Sequence, residues 1–204
     1  MTPDAMTASL TTSNPSSAAL AGDRHALERV GLRPLPPIPA AAQLHLVAPE
    51  GQLQVHTASY RGSFSSVLSQ AMRAAGLGSR VLIAQFLKGG VKQGPEGSVL
   101  LCGGLTWLRP SIPACLAEPG QPGGLESVEE VWQVCRRHLA EGDLDQLVLD
   151  EVGLASALGY LKEDELLSSL QQRPGSMDVI ITGPAIPASV MAMADQVTEL
   201  RRGF

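Results

Sequence analysis

From Leu44 onward, short apolar runs alternate with longer stretches in which apolar and polar positions recur at helical spacing. Continuous apolar runs of this kind suit strands that are buried on both faces of a sheet. The predicted strands are Leu53–Thr57, Val81–Phe86, Leu147–Asp150, Val179–Thr182 and Val197–Leu200. The predicted helices are Ser65–Ala75, Ser127–Leu139 and Glu163–Gln172. A capping box formed by Ser127 and Glu130 is expected to open the second helix. Strand–helix alternation predicts an α/β fold with a parallel sheet between two layers of helices.

The segment between the first predicted strand and the first predicted helix lies where a phosphate-binding loop belongs. Such a loop follows the pattern G-x-x-x-x-G-K-[ST] in a strand–turn–helix context. Of the fixed positions, only the glycine before the lysine is present, as Gly62. Ser63 stands where the lysine is required, and Phe64 stands where the hydroxyl is required. The chain therefore has the frame of a nucleotide-binding loop without its two principal chemical groups.

Other residues of this segment offer partial substitutes for the missing groups. The lysine of such a loop reaches the β- and γ-phosphates, and the hydroxyl ligates Mg²⁺. Arg61 is the one cation in the segment, and its planar guanidinium can hold a phosphate. Ser65 carries a hydroxyl one helical position later, where the side chain is rotated by about 100°. The candidate nucleotide-binding residues here are Ser59, Arg61, Gly62, Ser63 and Ser65. The alternative is a chance succession of strand, glycine and helix.

Two carboxylates follow the apolar strand that begins at Leu147. Asp150 and Glu151 lie at the end of this strand, about 90 residues after the loop. In phosphate-binding folds, such a strand is expected to end in an acid that binds the metal ion. Asp150 is therefore a candidate metal ligand together with Ser65, and both acids are candidate catalytic residues. The alternative is a strand end that meets solvent, where acidic side chains are simply well hydrated.

Two further strand ends carry polar or aromatic residues. Trp107 follows a pair of glycines in a chain with few aromatics, which suggests a flat ring beside a closely approaching backbone. A plain core role for Trp107 is equally open. Thr182 ends another apolar strand and precedes Gly183, so it joins the candidate cofactor-binding residues. Ligands bind at the carboxyl ends of strands in this architecture.

Composition excludes several classes of partner. The net charge of −5 gives no sequence-wide basic field for nucleic acid or anionic lipid. The longest uncharged apolar stretch, residues 179–194, is interrupted by glycine and prolines, so no membrane span is predicted. The three cysteines do not form a C-x-x-C pair, and no secretory signal is seen, which favours a reduced cytoplasmic protein. The four histidines show no ligand spacing and receive no metal-binding role.

Residues 1–42 differ from the remainder, so the predicted organisation is an N-terminal extension followed by a domain over residues 43–204. The first twenty or so residues are rich in Ser, Thr and Ala, a composition that favours disorder. Residues 33–39 are proline-rich and are expected to be extended. This arm is interpreted as a flexible tether, with a role in binding a protein partner as the alternative.

A series of short segments, taken in order along the chain, resembles the ATP:corrinoid adenosyltransferases of the cobalamin pathway. The segments are Arg80–Gly89, Gly104–Trp107, Leu147–Glu151, Gln172–Pro174, Ile181–Gly183 and Ala194–Glu199. Each is short, but their common order makes the resemblance specific. It spans about residues 53–200.

The resemblance implies a parallel-sheet, P-loop NTPase-like (RecA-like) domain that transfers the adenosyl group of ATP to cob(I)alamin and releases triphosphate, with Mg²⁺ as helper. It implies that the loop binds the triphosphate and that Asp150 and Glu151 serve the metal. It also implies that Trp107 lies over the corrin face and helps to remove an axial cobalt ligand.

The chain departs from the family pattern at both ends of this implied site. Ser63 and Phe64 replace the loop lysine and hydroxyl, Leu105 replaces an aromatic beside Trp107, and Pro184 replaces an arginine. The sequence also stops at Phe204, where the family pattern continues into a tail. Three hypotheses are open: a divergent active adenosyltransferase, a relative that binds nucleotide or corrinoid without catalysis, and a scaffold or regulatory interaction protein. The favoured hypothesis is a non-catalytic domain, with ATP, Mg²⁺ and corrinoid as conceivable ligands and a homodimer left open.

Overall fold

The computed structural model describes residues 50–62, 64–90 and 93–201, with Cys102 described by its backbone alone. In these residues, strands and helices follow one another along the chain. The strands are β1 (Leu53–Ala58), β2 (Val81–Gln85), β3 (Val99–Leu100), β4 (Leu105–Leu108), β5 (Gln146–Asp150), β6 (Asp178–Thr182) and β7 (Gln196–Leu200). The helices are α1 (Ser65–Gly76), α2 (Gly124–Glu141), α3 (Val152–Ala157), α4 (Glu163–Gln171) and α5 (Ala188–Met193). The extension predicted for residues 1–42 lies outside the described residues, as does Ser63.

The strands form one seven-stranded sheet in the order β3-β4-β2-β5-β6-β1-β7. Every neighbouring pair is parallel except β3 and β4, which are antiparallel at one edge. The predicted α/β fold of the P-loop NTPase-like type is confirmed. Because the carboxyl ends of parallel strands meet at one edge, residues that end β1, β2, β5 and β6 are brought together there.

Two apolar clusters, one on each face of the sheet, explain why the central strands are apolar throughout. All five residues of β2 are buried. Its alternate side chains Val81 and Ile83 pack with buried residues of α1, while Leu82 and Ala84 belong to the cluster that includes α2, α3, α4 and α5. A strand covered by helices on both faces must be apolar at every position, not only at alternate ones. The sheet is thus the middle of three layers.

The predicted strands agree with the structure to within a residue at each end, but the predicted start of the second helix was wrong. α2 begins at Gly124, and the residue before it, Gly123, has a left-handed backbone with φ 71°. Ser127 therefore lies inside the helix, and its hydroxyl donates to the carbonyl of Ser111 at 3.3 Å. The helix start has no side-chain cap, so the capping box does not form.

Four short elements were not predicted from the sequence: β3, β4, α3 and α5. Among the described residues, no helix has the length and apolar character needed to cross a membrane.

Candidate functional site

Three polar residues end neighbouring strands at one level of the sheet. Gln85 on β2 is in register with Asp150 on β5, and Asp150 is in register with Thr182 on β6. Their exposed fractions are 2%, 2% and 1%. Residues in register on parallel strands point to the same face, here the face that α1 covers. The three side chains therefore form a buried polar row, which we call the strand-end row.

Asp150 is the centre of the strand-end row and accepts three hydrogen bonds. The Thr182 hydroxyl donates to Oδ1 at 2.7 Å, and Gln85 Nε2 donates to Oδ2 at 2.8 Å. The Lys88 ammonium also donates to Oδ2, at 2.7 Å, and its side chain is 28% exposed. Buried carboxylates are stable only when they are hydrogen-bonded and paired, and Asp150 has both kinds of partner.

Gln85 connects this carboxylate to the aromatic side of the site. Its Oε1 accepts from Trp107 Nε1 at 2.9 Å and from Arg109 Nε at 2.9 Å. The Arg109 guanidinium also lies over the Trp107 ring, 5.8 Å from the centroid, within cation–π range. β2 lies between β4 and β5, so Gln85 is placed to reach both Trp107 and Asp150.

Glu151 is held by a different arrangement. Its backbone is left-handed with φ 65°, an unfavourable conformation for a residue with a side chain, and its N–H donates to the Thr182 carbonyl at 2.7 Å. A β-carbon on Gly183 would lie 3.0 Å from the Glu151 Cα, so a glycine is needed beside this turn. The turn directs the carboxylate into the protein, and Glu151 is only 1% exposed.

Arg61 holds the Glu151 carboxylate with two N–H donors on one edge of its guanidinium. Nε donates to Oε1 at 2.7 Å and Nη2 donates to Oε2 at 2.9 Å. Nη1 donates to the Leu116 carbonyl at 2.8 Å, and Nη2 also approaches the Leu87 carbonyl at 3.5 Å. Hydrogen bonding to Glu151 raises the pKa of Arg61 above its ordinary value, while desolvation opposes the shift. The guanidinium thus ties the loop after β1 to α3 and to the segment that precedes α2.

Among the described candidate residues of the loop, the side chains of Ser59 and Ser65 form no hydrogen bonds comparable with those of Arg61. Ser59 and Ser65 are exposed, and Ser65 is the first residue of α1. A β-carbon on Gly62 would lie 2.9 Å from the Tyr60 ring. Phe64 is 4% exposed and belongs to the apolar cluster beneath α1. The structure therefore brings together Arg61, Glu151, Asp150 and Thr182, with Trp107 joined to them through Gln85.

Sequence reasoning missed Gln85, Lys88 and Arg109. All three follow or end strands at the carboxyl edge of the sheet, and Lys88 is one of only three lysines in the chain. Gln85 and Lys88 lie inside the segment Arg80–Gly89, whose sequence supported the family resemblance. Their contacts could not be predicted because they depend on the strand order, in which β2 is the neighbour of both β4 and β5.

The described residues do not fit a Mg²⁺ ion held between a strand acid and a loop hydroxyl. Asp150 already accepts three hydrogen bonds, one of them from an ammonium. At the loop position where a hydroxyl is needed, Phe64 is buried in the core. Both carboxylates are neutralised by cations of the chain itself.

A second group of potential metal ligands lies at the end of α2, away from these strand ends. Ligand atoms of His138, Glu141 and Asp143 lie within 4.8 Å of one another. The ring nitrogen Nδ1 of His138 is already 2.7 Å from Asp143 Oδ1, and this hydrogen bond lowers the pKa of Asp143. His138 was not predicted to be a ligand, because the four histidines show no ligand spacing in the sequence. The proximity arises because Gly142 turns the chain back towards the helix end.

Comparison of the sequence with known proteins identifies the family of this chain. The chain is 34% identical over 163 residues to the corrinoid adenosyltransferase CobA of Salmonella typhimurium, covering 74% of this chain and 76% of that protein. It is 32% identical over 160 residues to the corrinoid adenosyltransferase of Pseudomonas aeruginosa, covering 74% of each. An uncharacterised Nostoc protein is 27% identical over 165 residues, which is 44% of its length. Residues 49–203 match the model of the ATP:corrinoid adenosyltransferase BtuR/CobO/CobP family, so the chain belongs to that family.

Proposed function

We propose that this chain is a non-catalytic member of the corrinoid adenosyltransferase family that acts as an interaction, regulatory or ligand-binding domain. The observation that carries the proposal is the Arg61–Glu151 pair, in which the cation of the loop binds a carboxylate of the protein itself. The proline-rich segment of residues 33–39 is the proposed contact with a protein partner, since extended proline-rich chains are suited to docking in aromatic grooves.

Arg61 cannot hold a phosphate with a pair of N–H donors without leaving Glu151, because its hydrogen bonds to Glu151, Leu116 and Leu87 use four of its five N–H groups. The Glu151 side chain is 1% exposed, and a buried carboxylate without a partner costs about 3–5 kcal/mol. The Arg61 side chain is 32% exposed, so water reduces the cost of separating the pair towards the lower end of that range. Even so, the nucleotide would have to supply this energy before gaining any net affinity.

The other losses act in the same direction. Replacing the loop lysine by Ser63 removes a charge-assisted hydrogen bond of about 1.5–3 kcal/mol, which corresponds to roughly ten- to a hundredfold in affinity. On the aromatic side, Leu105 is 1% exposed and packs in the core beneath α1. Adenosyl transfer needs both reactants held in an attack geometry, so weak positioning at each end lowers the rate further.

The direct test is calorimetric titration with ATP–Mg²⁺ and an adenosylation assay with chemically reduced corrinoid. The corrinoid adenosyltransferase of Pseudomonas aeruginosa is the positive control in both. We expect little or no adenosylated product from this chain and no saturable heat at ATP concentrations that saturate the control. Robust turnover by the unmodified chain would contradict the proposal.

The alternative is a divergent active adenosyltransferase, and one observation favours it. Lys88 places an ammonium 2.7 Å from Asp150 with 28% of its side chain exposed, so a cation is present at this edge of the sheet. If Lys88 takes the place of the loop lysine, the chain should form product and Lys88→Met should abolish it. A product yield that is equal with and without Lys88 would exclude this substitute role.

A further inference from the structure

Gln85 is the one link, among the described residues, that bonds to both Asp150 and Trp107. Its Nε2 donates to Asp150 Oδ2 at 2.8 Å, and its Oε1 accepts from the Trp107 indole at 2.9 Å. The residue is 2% exposed, so water does not compete for either end of the amide. A continuous chain of hydrogen bonds therefore runs from the acid to the aromatic ring.

The partners on each side fix the orientation of the Gln85 amide. The carboxylate of Asp150 can only accept, and both Trp107 Nε1 and Arg109 Nε can only donate. A rotated amide would set its oxygen against the carboxylate and its NH₂ group against two N–H donors. One orientation satisfies all the groups, and the negative charge of Asp150 strengthens the hydrogen bond that selects it.

We propose that Gln85 is a positioning residue that couples the Asp150 carboxylate to the Trp107 indole. Removing or neutralising the charge on Asp150 weakens the hold on Gln85 Nε2, and the amide oxygen then becomes a poorer acceptor for Trp107 and Arg109. The inference rests on the proposed function, because it takes the strand-end row to be part of a ligand-binding site. In that site, a change at Asp150 is transmitted to Trp107.

Thr182 supplies a matched control for this coupling. Its hydroxyl donates to Oδ1 of Asp150, the oxygen that does not contact Gln85. Thr182→Val removes a hydrogen bond from the same carboxylate and leaves the bonds of Gln85 in place. Gln85→Met keeps an unbranched side chain of similar length but removes both of its hydrogen bonds.

The experiment follows the tryptophan indole N–H signals by ¹H–¹⁵N NMR in the ligand-free full chain. The chain has two tryptophans, Trp107 and Trp132, so two indole signals are expected, and Trp132→Phe assigns them. Trp132 is fully buried, and its Nε1 has no hydrogen-bond partner in the described part of the chain, so its signal reports on folding alone. Asp150→Asn is then introduced into the wild type, Thr182→Val and Gln85→Met.

We expect Asp150→Asn to move the Trp107 signal by more than its linewidth in the wild type and in Thr182→Val, and to leave it unmoved in Gln85→Met. Gln85→Met alone should speed exchange of the Trp107 indole proton roughly fivefold, the factor for one net hydrogen bond of about 1 kcal/mol. If Asp150→Asn fails to fold, Lys88→Met changes the charge at the same oxygen from the partly exposed side and should give the same pattern.

Two results would overturn the coupling. One is a Trp107 signal that does not respond to Asp150→Asn or to Lys88→Met in the wild type. The other is an equal response in Gln85→Met, which would mean that the effect passes through space. Because no ligand is added, these results concern the coupling alone, whereas the titration and turnover assays concern the proposed function.

Discussion

Asp150 and Glu151 are adjacent in the chain, but the molecule holds them in opposite ways. Asp150 is fixed by the sheet, since Gln85 and Thr182 are its register partners on the two neighbouring strands. Glu151 lies in a left-handed turn, and its cation, Arg61, comes from a loop 90 positions earlier in the chain. One acid is held by the strand ladders and the other by loops.

Because of this difference, we expect the two acids to affect different properties: Asp150 the stability of the fold, and Glu151 the loop at the site. The strand-end row is built into the rigid centre of the sheet, so disturbing it should cost stability first. The Arg61–Glu151 pair spans loops and uses carbonyls of two further segments, so disturbing it should change the loop more than the core. Loops positioned by a rigid scaffold are also where binding residues usually lie. We therefore expect the loop pair, and not the strand-end row, to control the access of phosphate.

The largest expected effect is that of Asp150→Ala. The substitution leaves the buried donors of Gln85 and Thr182 without an acceptor and removes the partner of the Lys88 ammonium. We expect the free energy of unfolding to fall by about 3–5 kcal/mol, measured by urea denaturation. Asp150→Asn should cost less, because its amide oxygen can still accept one of these hydrogen bonds. A cost below about 1 kcal/mol for the alanine variant would show that the strand-end row does not support the fold.

A smaller effect is expected from Arg61→Met, with Arg80→Met as the matched control. The Arg61 variant leaves the buried Glu151 carboxylate unpaired. Because Arg61 itself is partly exposed, we expect a loss near the lower end of the range for a broken buried pair, about 3 kcal/mol in urea denaturation. Arg80 also pairs with an aspartate, Asp145, but both side chains are largely exposed, so its variant should keep the midpoint of the wild type. Equal midpoints for the two variants would mean that the loop pair is no stronger than a surface ion pair.

The fold was predictable from sequence because the signals that define it are local. Continuous apolar strands and intervening amphipathic helices indicated a parallel sheet, and the observed strands agree with the predicted ones to within a residue. The elements that were missed are short, such as β3 with Val99 and Leu100, and their pairing depends on distant neighbours. The start of α2 was wrong because a left-handed Gly123 begins the helix one turn before the apparent capping box.

The candidate site was predictable only in part, for a related physical reason. Asp150, Glu151 and Thr182 could be found because each ends or follows an apolar strand. The partner of each acid depends on strand order and loop path, which one sequence does not specify. The Arg61 side chain illustrates this, since nothing local shows whether it points outward to a phosphate or inward to Glu151. The effect of Ser63 on the loop stays a prediction, because that residue lies outside the described part of the chain.

The smallest effect concerns pH and a residue next to the strand-end row. His56 on β1 is in register with Thr182 on β6 and with Thr198 on β7, and burial lowers its pKa from the ordinary 6.5. The unfolded chain therefore binds a proton at His56 more readily than the folded chain does. The resulting stability is fully present above about pH 6.5 and is lost as the pH falls through the lowered folded pKa. His56→Gln should flatten the decline in the free energy of unfolding between about pH 7.5 and about pH 5.5. Comparing the variant and the wild type at about pH 8, where neither state is protonated at this position, gives the pH-independent cost of the substitution. If both proteins lose stability equally on acidification, His56 makes no contribution, and the acid sensitivity of the fold comes from elsewhere.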